Sequence, residues 1–157
     1  MKNKYFLITI FSLILSVTSC SSDDSSNSKS ASEMISSKAW LVESKMLSPT
    51  IDYGGLEITD IMIIEPEETR NYTFTFNSDG TLLQNDAMGN LIFETTWVLN
   101  SDNTQLLFGE PIVYSYPIVG DMGFSTIDNL SISSSQVVGT ISATFGDVEY
   151  EVTITFI

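Results

Sequence analysis

A chain of 157 residues, 43% of them hydrophobic, suits one domain and supplies enough apolar side chain for a sizeable core. Its 20 aspartates and glutamates against 6 lysines and arginines give a net charge of −14, which works against binding nucleic-acid phosphates or anionic headgroups. With no histidine and one cysteine, the usual zinc and blue-copper ligand sets, an intramolecular disulfide, and Ser-His-Asp or Cys-His catalysis are all excluded. A carboxylate-only site stays open to an enzyme.

Lys2 and Lys4 precede an almost wholly apolar run from Tyr5 to Val17, YFLITIFSLILSV. The run is shorter than the ~20 residues of a membrane-spanning helix and fits the roughly 7–15-residue core of a secretory signal. It ends in Val17-Thr18-Ser19-Cys20. These four residues resemble the bacterial lipobox, an aliphatic residue and two small ones ahead of a cysteine. The resemblance implies a diacylglycerol thioether on Cys20, cleavage just before it, and acylation of the new amino terminus. Residues 1–19 are then a lipoprotein signal peptide, and the other reading is an ordinary secretory signal with a chance cysteine. Each buried methylene contributes about 0.8 kcal/mol, so two or three acyl chains on one residue form a durable membrane anchor.

Ser21 to Ser30, SSDDSSNSKS, has no apolar residue to pack. With Cys20 it reads as a flexible tether over 20–30, with a root-mean-square reach of roughly 17 Å for ten such residues. Ser22, Asp23 and Asp24 resemble the Ser/Asp-rich export signal that follows the lipidated cysteine in Bacteroidota surface lipoproteins. That resemblance implies an outer-membrane lipoprotein exposed at the cell surface.

Ala31 to Lys38 allows one short helical turn, and from Trp40 the apolar period changes to two. The spacing predicts eight strands, at 40–47, 71–77, 81–85, 91–99, 104–108, 126–133, 136–145 and 148–157. In Tyr72-Thr73-Phe74-Thr75-Phe76 aromatics alternate with threonines, and Asn77 to Gly80 supplies the turn. Leu91, Phe93, Trp97 and Leu99 share a face. Val137, Gly139, Ile141, Ala143 and Phe145 form another, and Gly146-Asp147 turns the chain into a last alternating strand. The class is all-β. Sequential hairpins suit an eight-stranded up-and-down antiparallel barrel, which has no exposed edge, and a β-sandwich is the alternative.

Trp40 after a helical turn, the stretches YTFTFNSDGTL and ETTWVLN, and the final hairpin together resemble the small lipocalin-like lipoproteins of Bacteroidota. The resemblance implies a lipocalin-like barrel over 31–157 and a non-enzymatic, membrane-anchored protein. One departure stands out: lipocalins proper have glycine two positions before the tryptophan, where this chain has Lys38.

Strand parity puts the two long connections, 48–70 and 109–125, at one rim together with 86–90 and 146–147. Leu56 to Ile64 is greasy enough for an extra strand within the first. Tyr53, Met62, Met88, Tyr114, Tyr116 and Phe124 are the candidate rim. They would hold a small apolar or amphipathic ligand at a barrel mouth, or simply plug the barrel. A filled barrel would instead serve as a structural or interaction module for a protein or glycan. Glu65, Glu67 and Glu68 lack the spacing of a calcium-binding hand. Glu149 and Glu151 alternate with apolar residues and are expected to face solvent. No catalytic residue, metal or cofactor is expected, and the partners foreseen are the membrane, through the lipid on Cys20, and a small apolar ligand.

Overall fold

The computed structural model describes residues 28–145 and 147–157. Cys20, Ser22, Asp23, Asp24 and Gly146, to which the sequence assigns roles, lie outside the described residues.

α1 (Ala31–Ile35) is a single capped turn. The Glu33 amide donates to Ser30 Oγ at 3.2 Å, and the Ser30 amide donates to the Glu33 carboxylate at 2.7 Å. Two amides at the helix start are thereby satisfied reciprocally, which lets so short a helix hold its shape. Its job is to deliver Ile35, fully buried, against the barrel, where the Ile35 carbonyl accepts the Trp40 indole N–H at 2.6 Å.

Nine strands follow among the described residues: β1 (Ala39–Tyr53), β2 (Leu56–Asp60), β3 (Thr73–Phe76), β4 (Thr81–Asn85), β5 (Leu91–Leu99), β6 (Leu106–Tyr116), β7 (Gly120–Ile132), β8 (Val137–Phe145) and β9 (Val148–Phe156). β1 pairs with β3, each later strand pairs with the next, and β9 returns to β1 along Val42–Ser48, all antiparallel. The result is a closed eight-stranded up-and-down barrel, and closure removes the sandwich alternative. β2 is the additional strand. It takes the edge of β1 beyond the short β1–β3 ladder, and a 3-10 helix (Ile61–Ile64) and α2 (Glu67–Arg70) lead from it to β3.

Two expectations are corrected here. Residues 109–125 are not a loop, because β6 runs on to Tyr116 and β7 begins at Gly120. Likewise β1 continues to Tyr53, where Gly54 and Gly55, both at positive φ, turn it into β2. Proline and glycine in these stretches read as strand breakers, yet bulges absorb them. The β6–β7 ladder slips between Leu107 and Ile112, so that Pro111, which has no amide to donate, sits where no ladder bond is needed. The β1–β2 ladder slips in the same way between Met46 and Ile51, across Pro49.

The alternating faces pack as their period requires. Phe74 and Phe76 are buried and meet Phe156 and Trp97 edge to face, with ring centroids 5.6 and 5.5 Å apart. Val137, Gly139, Ile141, Ala143 and Phe145 are all buried on β8. Gly139 has to be glycine: a Cβ there would collide with Ile127 and stand 2.9 Å from the Asp128 carbonyl oxygen. Leu91 departs from its expected face and is exposed, because the β4–β5 register slips between Gln84 and Asn85.

Strand directions define two ends. α1 and the turns between β3 and β4, β5 and β6, and β7 and β8 lie at the proximal end, where Ser28–Ser30 lead into α1. The β1–β2, β4–β5, β6–β7 and β8–β9 hairpins lie at the distal end. The expected division into one elaborate and one plain end therefore holds, although the elaborate end is built of extended hairpins.

Candidate functional site

The site begins with a change of phase in β1. Trp40 and Val42 point inward, so strict alternation would send Ser44 and Met46 in and Lys45 out. Instead the β1–β9 register slips between Val42 and Ser44, one extra residue enters the strand, and Lys45 and Leu47 turn into the barrel. Lys45 is 1% exposed. Its Nζ donates to Glu65 Oε2 at 2.8 Å, to Glu65 Oε1 at 3.0 Å and to the Tyr116 hydroxyl at 3.1 Å. It also lies 3.5 Å from the centroid of the Tyr114 ring, a cation–π contact in a desolvated setting.

Burial pushes the Lys45 ammonium below the usual lysine range, with the charge and hydrogen bonds of Glu65 opposing the shift. The Tyr114 and Tyr116 phenols go the other way. Burial raises both, and the nearby Glu65 charge raises them further, so both stay neutral at physiological pH. The Tyr114 hydroxyl is buried without a hydrogen-bond partner. Such an orphan is uncommon in a packed interior, where nearly every polar group finds a partner.

Glu65 does not come from a strand. Asp60 Oδ1 caps the 3-10 helix, accepting from the Met62 amide at 2.9 Å and from the Lys45 amide at 3.1 Å. Beyond Glu65 and Pro66, the α2 residue Arg70 folds back. Its Nε donates to the Glu65 carbonyl at 2.9 Å and its Nη2 to the Ile63 carbonyl at 3.1 Å. The segment Ile61–Arg70 is thus tied chiefly to itself. Among the described residues, the Lys45–Glu65 pair is its one polar link to a part of the barrel that is not its chain neighbour.

The six rim residues expected from the sequence separate into two groups. Tyr114, Tyr116 and Phe124 are interior wall, with Tyr114 stacked at centroid distances of 6.2 Å from Tyr116 and 6.3 Å from Phe124. Met62 is half-buried against the core, on the segment Ile61–Arg70. Tyr53 and Met88 are exposed at the tips of different hairpins. The interior here is filled: Lys45, Tyr114, Tyr116, Met122 and Phe124 are each at most 6% exposed, whereas a chamber would leave its lining accessible. Glu67 and Glu68 are exposed on α2, away from the pairing of Glu65, and Glu149 and Glu151 face solvent. Among the described residues no three metal-binding side chains gather in one place.

Lys45 was missed by simple alternation, although a signal for it exists. Trp40 and Val42 occupy even positions and Leu47 an odd one, so the strand must change parity between them. Lys45 lies on the new parity. For Glu65 no comparable signal exists, because one buried acid looks like its exposed neighbours Glu67 and Glu68.

The distal surface has its own character. Of the eleven large apolar side chains that are exposed among the described residues, seven, namely Tyr53, Leu56, Met88, Leu91, Ile92, Val113 and Val148, lie on the distal hairpins, whereas Val98 and Ile157 are proximal. Exposed acids such as Asp52, Glu57, Glu94, Glu110 and Asp121 are interspersed among them. Between α2 and the β4–β5 connection, Glu68, Tyr72, Asp86, Ala87, Met88 and Ile92 line a shallow groove of about 220 Å³. No protein-family model and no curated protein matches the chain.

Proposed function

We propose that this chain is a lipid-anchored, non-enzymatic barrel lipoprotein that presents its distal hairpins to a macromolecular partner at the cell surface. The observation that carries the reading is the concentration of exposed apolar side chains at the end opposite the tether. Exposed apolar side chains concentrated in one region of a surface are a mark of interaction sites. The surrounding acids select a partner with basic residues around an apolar centre, since charge complementarity sets specificity and encounter rate. A lipid on Cys20 and the Ser22-Asp23-Asp24 signal would place the barrel outside the outer membrane with this end facing away from it. The filled interior makes the surface, in this closed form, the part available to a partner.

The test is site-specific photo-crosslinking on intact cells, with the crosslinker at Tyr53, Met88 or Val113 and a proximal control at Val98. Distal positions are expected to capture one protein reproducibly while Val98 does not. Equal capture at all positions, or none, would overturn the reading.

A second reading, a small apolar ligand, is favoured by the groove at Tyr72, Met88 and Ile92. Native mass spectrometry of the detergent-extracted protein would show a reproducible small-molecule adduct, lost on Met88→Ser, if the groove is occupied.

A further inference from the structure

We infer that Lys45 is the anchor of a closed anion site and that Ile61–Arg70 is its lid. Opening the lid withdraws Glu65 and admits the carboxylate of a single-chain amphiphile in its place. This inference does not rest on the macromolecular-partner reading.

Three features carry it. First, Lys45 is inside only because β1 changes phase by one residue, and a buried ion pair is a poor source of stability. Desolvation offsets much of its Coulombic gain, and well-packed apolar side chains of similar volume do as well or better. Second, the two sides of the pair are built differently. Lys45 and its other neighbours, Tyr114 and Tyr116, sit on β1 and β6 within the barrel ladders. Glu65 sits on the self-contained segment, whose remaining polar bonds are internal or to its chain neighbours. If the segment swings away, the ammonium and both phenols stay behind. Third, the Tyr114 hydroxyl is buried without a hydrogen-bond partner, on the ring whose face the ammonium lies against.

The ligand class follows from charge and shape. Lys45 supplies one positive charge and Glu65 cancels it, so a monoanion keeps the buried site neutral whereas a dianion leaves an uncompensated charge there. A carboxylate reproduces the two-oxygen acceptance from Lys45 that Glu65 shows, while the Tyr116 hydroxyl oxygen goes on accepting from the same ammonium. The lid carries Ile61, fully buried, and Met62 and Ile64, both packed on the core. Their departure leaves apolar room for an alkyl chain. Glu65 is in this sense an internal stand-in for the ligand.

The experiment uses the processed lipoprotein in lipid nanodiscs, with decanoate, decanol and acetate as probes and hydrogen exchange as the readout. Decanoate is expected to strip protection from residues 61–70 while β8 and β9 keep theirs, and decanol and acetate are expected to change nothing. Glu65→Gln removes the competing carboxylate and is expected to tighten decanoate binding at least tenfold. Lys45→Met is expected to abolish the response. Partitioning of decanoate into the disc is common to all variants and cancels. Unchanged exchange in the wild-type protein, an equal response to decanol, or a wild-type response in Lys45→Met would each overturn the inference. The wild-type measurement decides the matter even if Glu65→Gln fails to fold. Failure here with intact distal crosslinks would leave the partner reading standing.

Discussion

The two ends of the barrel are built from the same kind of strand to different ends. At the proximal end both tryptophans are buried and both indoles are satisfied, Trp40 by the Ile35 carbonyl at 2.6 Å and Trp97 by the Asn77 carbonyl at 3.0 Å. The turns there are short, and α1 seals the barrel. Toward the distal end β1 and β6 bulge, a charged pair and an orphaned phenol lie inside, and apolar side chains stand in solvent. The proximal end has departures of its own, an unpartnered Ser36 hydroxyl and a slip between Asp128 and Ser131, but the distal end gathers its departures around a buried charge. Departures of that kind concentrate where a protein is shaped for something besides folding.

The largest expected effects come from breaking that contrast at its two anchors. Trp40→Ala removes a fully buried indole from the proximal seal and should cost about 3–5 kcal/mol in urea-induced unfolding. Lys45→Met alone should cost a similar ~3–5 kcal/mol, because the Glu65 charge is left buried without its partner. The two sites part company on repair. Lys45→Met combined with Glu65→Leu should recover most of the loss and can exceed wild-type stability by about 1–4 kcal/mol, the range seen when buried ion pairs are replaced by apolar packing. If the double variant stays as unstable as the single one, the ion pair is structural and the distal interior is not the exception described here.

Gly139→Ala should be intermediate, about 1–3 kcal/mol, since its methyl group meets Ile127 and the Asp128 carbonyl in a packed wall. A pH titration sharpens the comparison without mutation. The Tyr114 and Tyr116 phenols are raised above their ordinary value of 10.0, so unfolded chains release these protons before the native state does. Their contribution to stability is present below about pH 10 and is lost as pH climbs further. Depressed Lys45 acts with the opposite sign below its ordinary 10.5, which confines the net fall to higher pH. The tyrosinate absorbance of Tyr114 and Tyr116 should therefore appear only with alkaline unfolding. A single smooth titration of every tyrosine would contradict the burial of the pair. The smallest effect is expected at the distal tip: Met88→Ser, at a side chain 84% exposed, should change stability by no more than about 0.5 kcal/mol.

Much of this architecture was legible in the residues themselves. Alternation places Phe74, Phe76, Trp97 and the β8 face inside, because a strand's side chains have a period of two and one face must leave water. The capped turn before Trp40, the parity that separates plain from elaborate connections, and the outward Glu149 and Glu151 follow from the same local rules. Residues 109–125 were misread because Gly109, Pro111 and Gly123 are local breakers, and only a partner strand can accommodate them in a bulge. The rim tyrosines were misplaced for that reason: once β6 extends to Tyr116, its even positions continue the inward face.

What the sequence determines alone is therefore whatever depends on near neighbours along the chain, namely the strand class, the faces, the turns and the signal-like N-terminus. The tertiary structure decides whatever depends on register between distant strands. A one-residue slip reverses every side chain beyond it, so Lys45 becomes interior through its pairing with β9, more than a hundred positions away. Glu65 becomes its partner because a short non-strand segment happens to cover that wall. The parity change from Val42 to Leu47 marks the first choice without placing the slip, and no local pattern carries the second, since both are settled by which surfaces meet when the barrel closes.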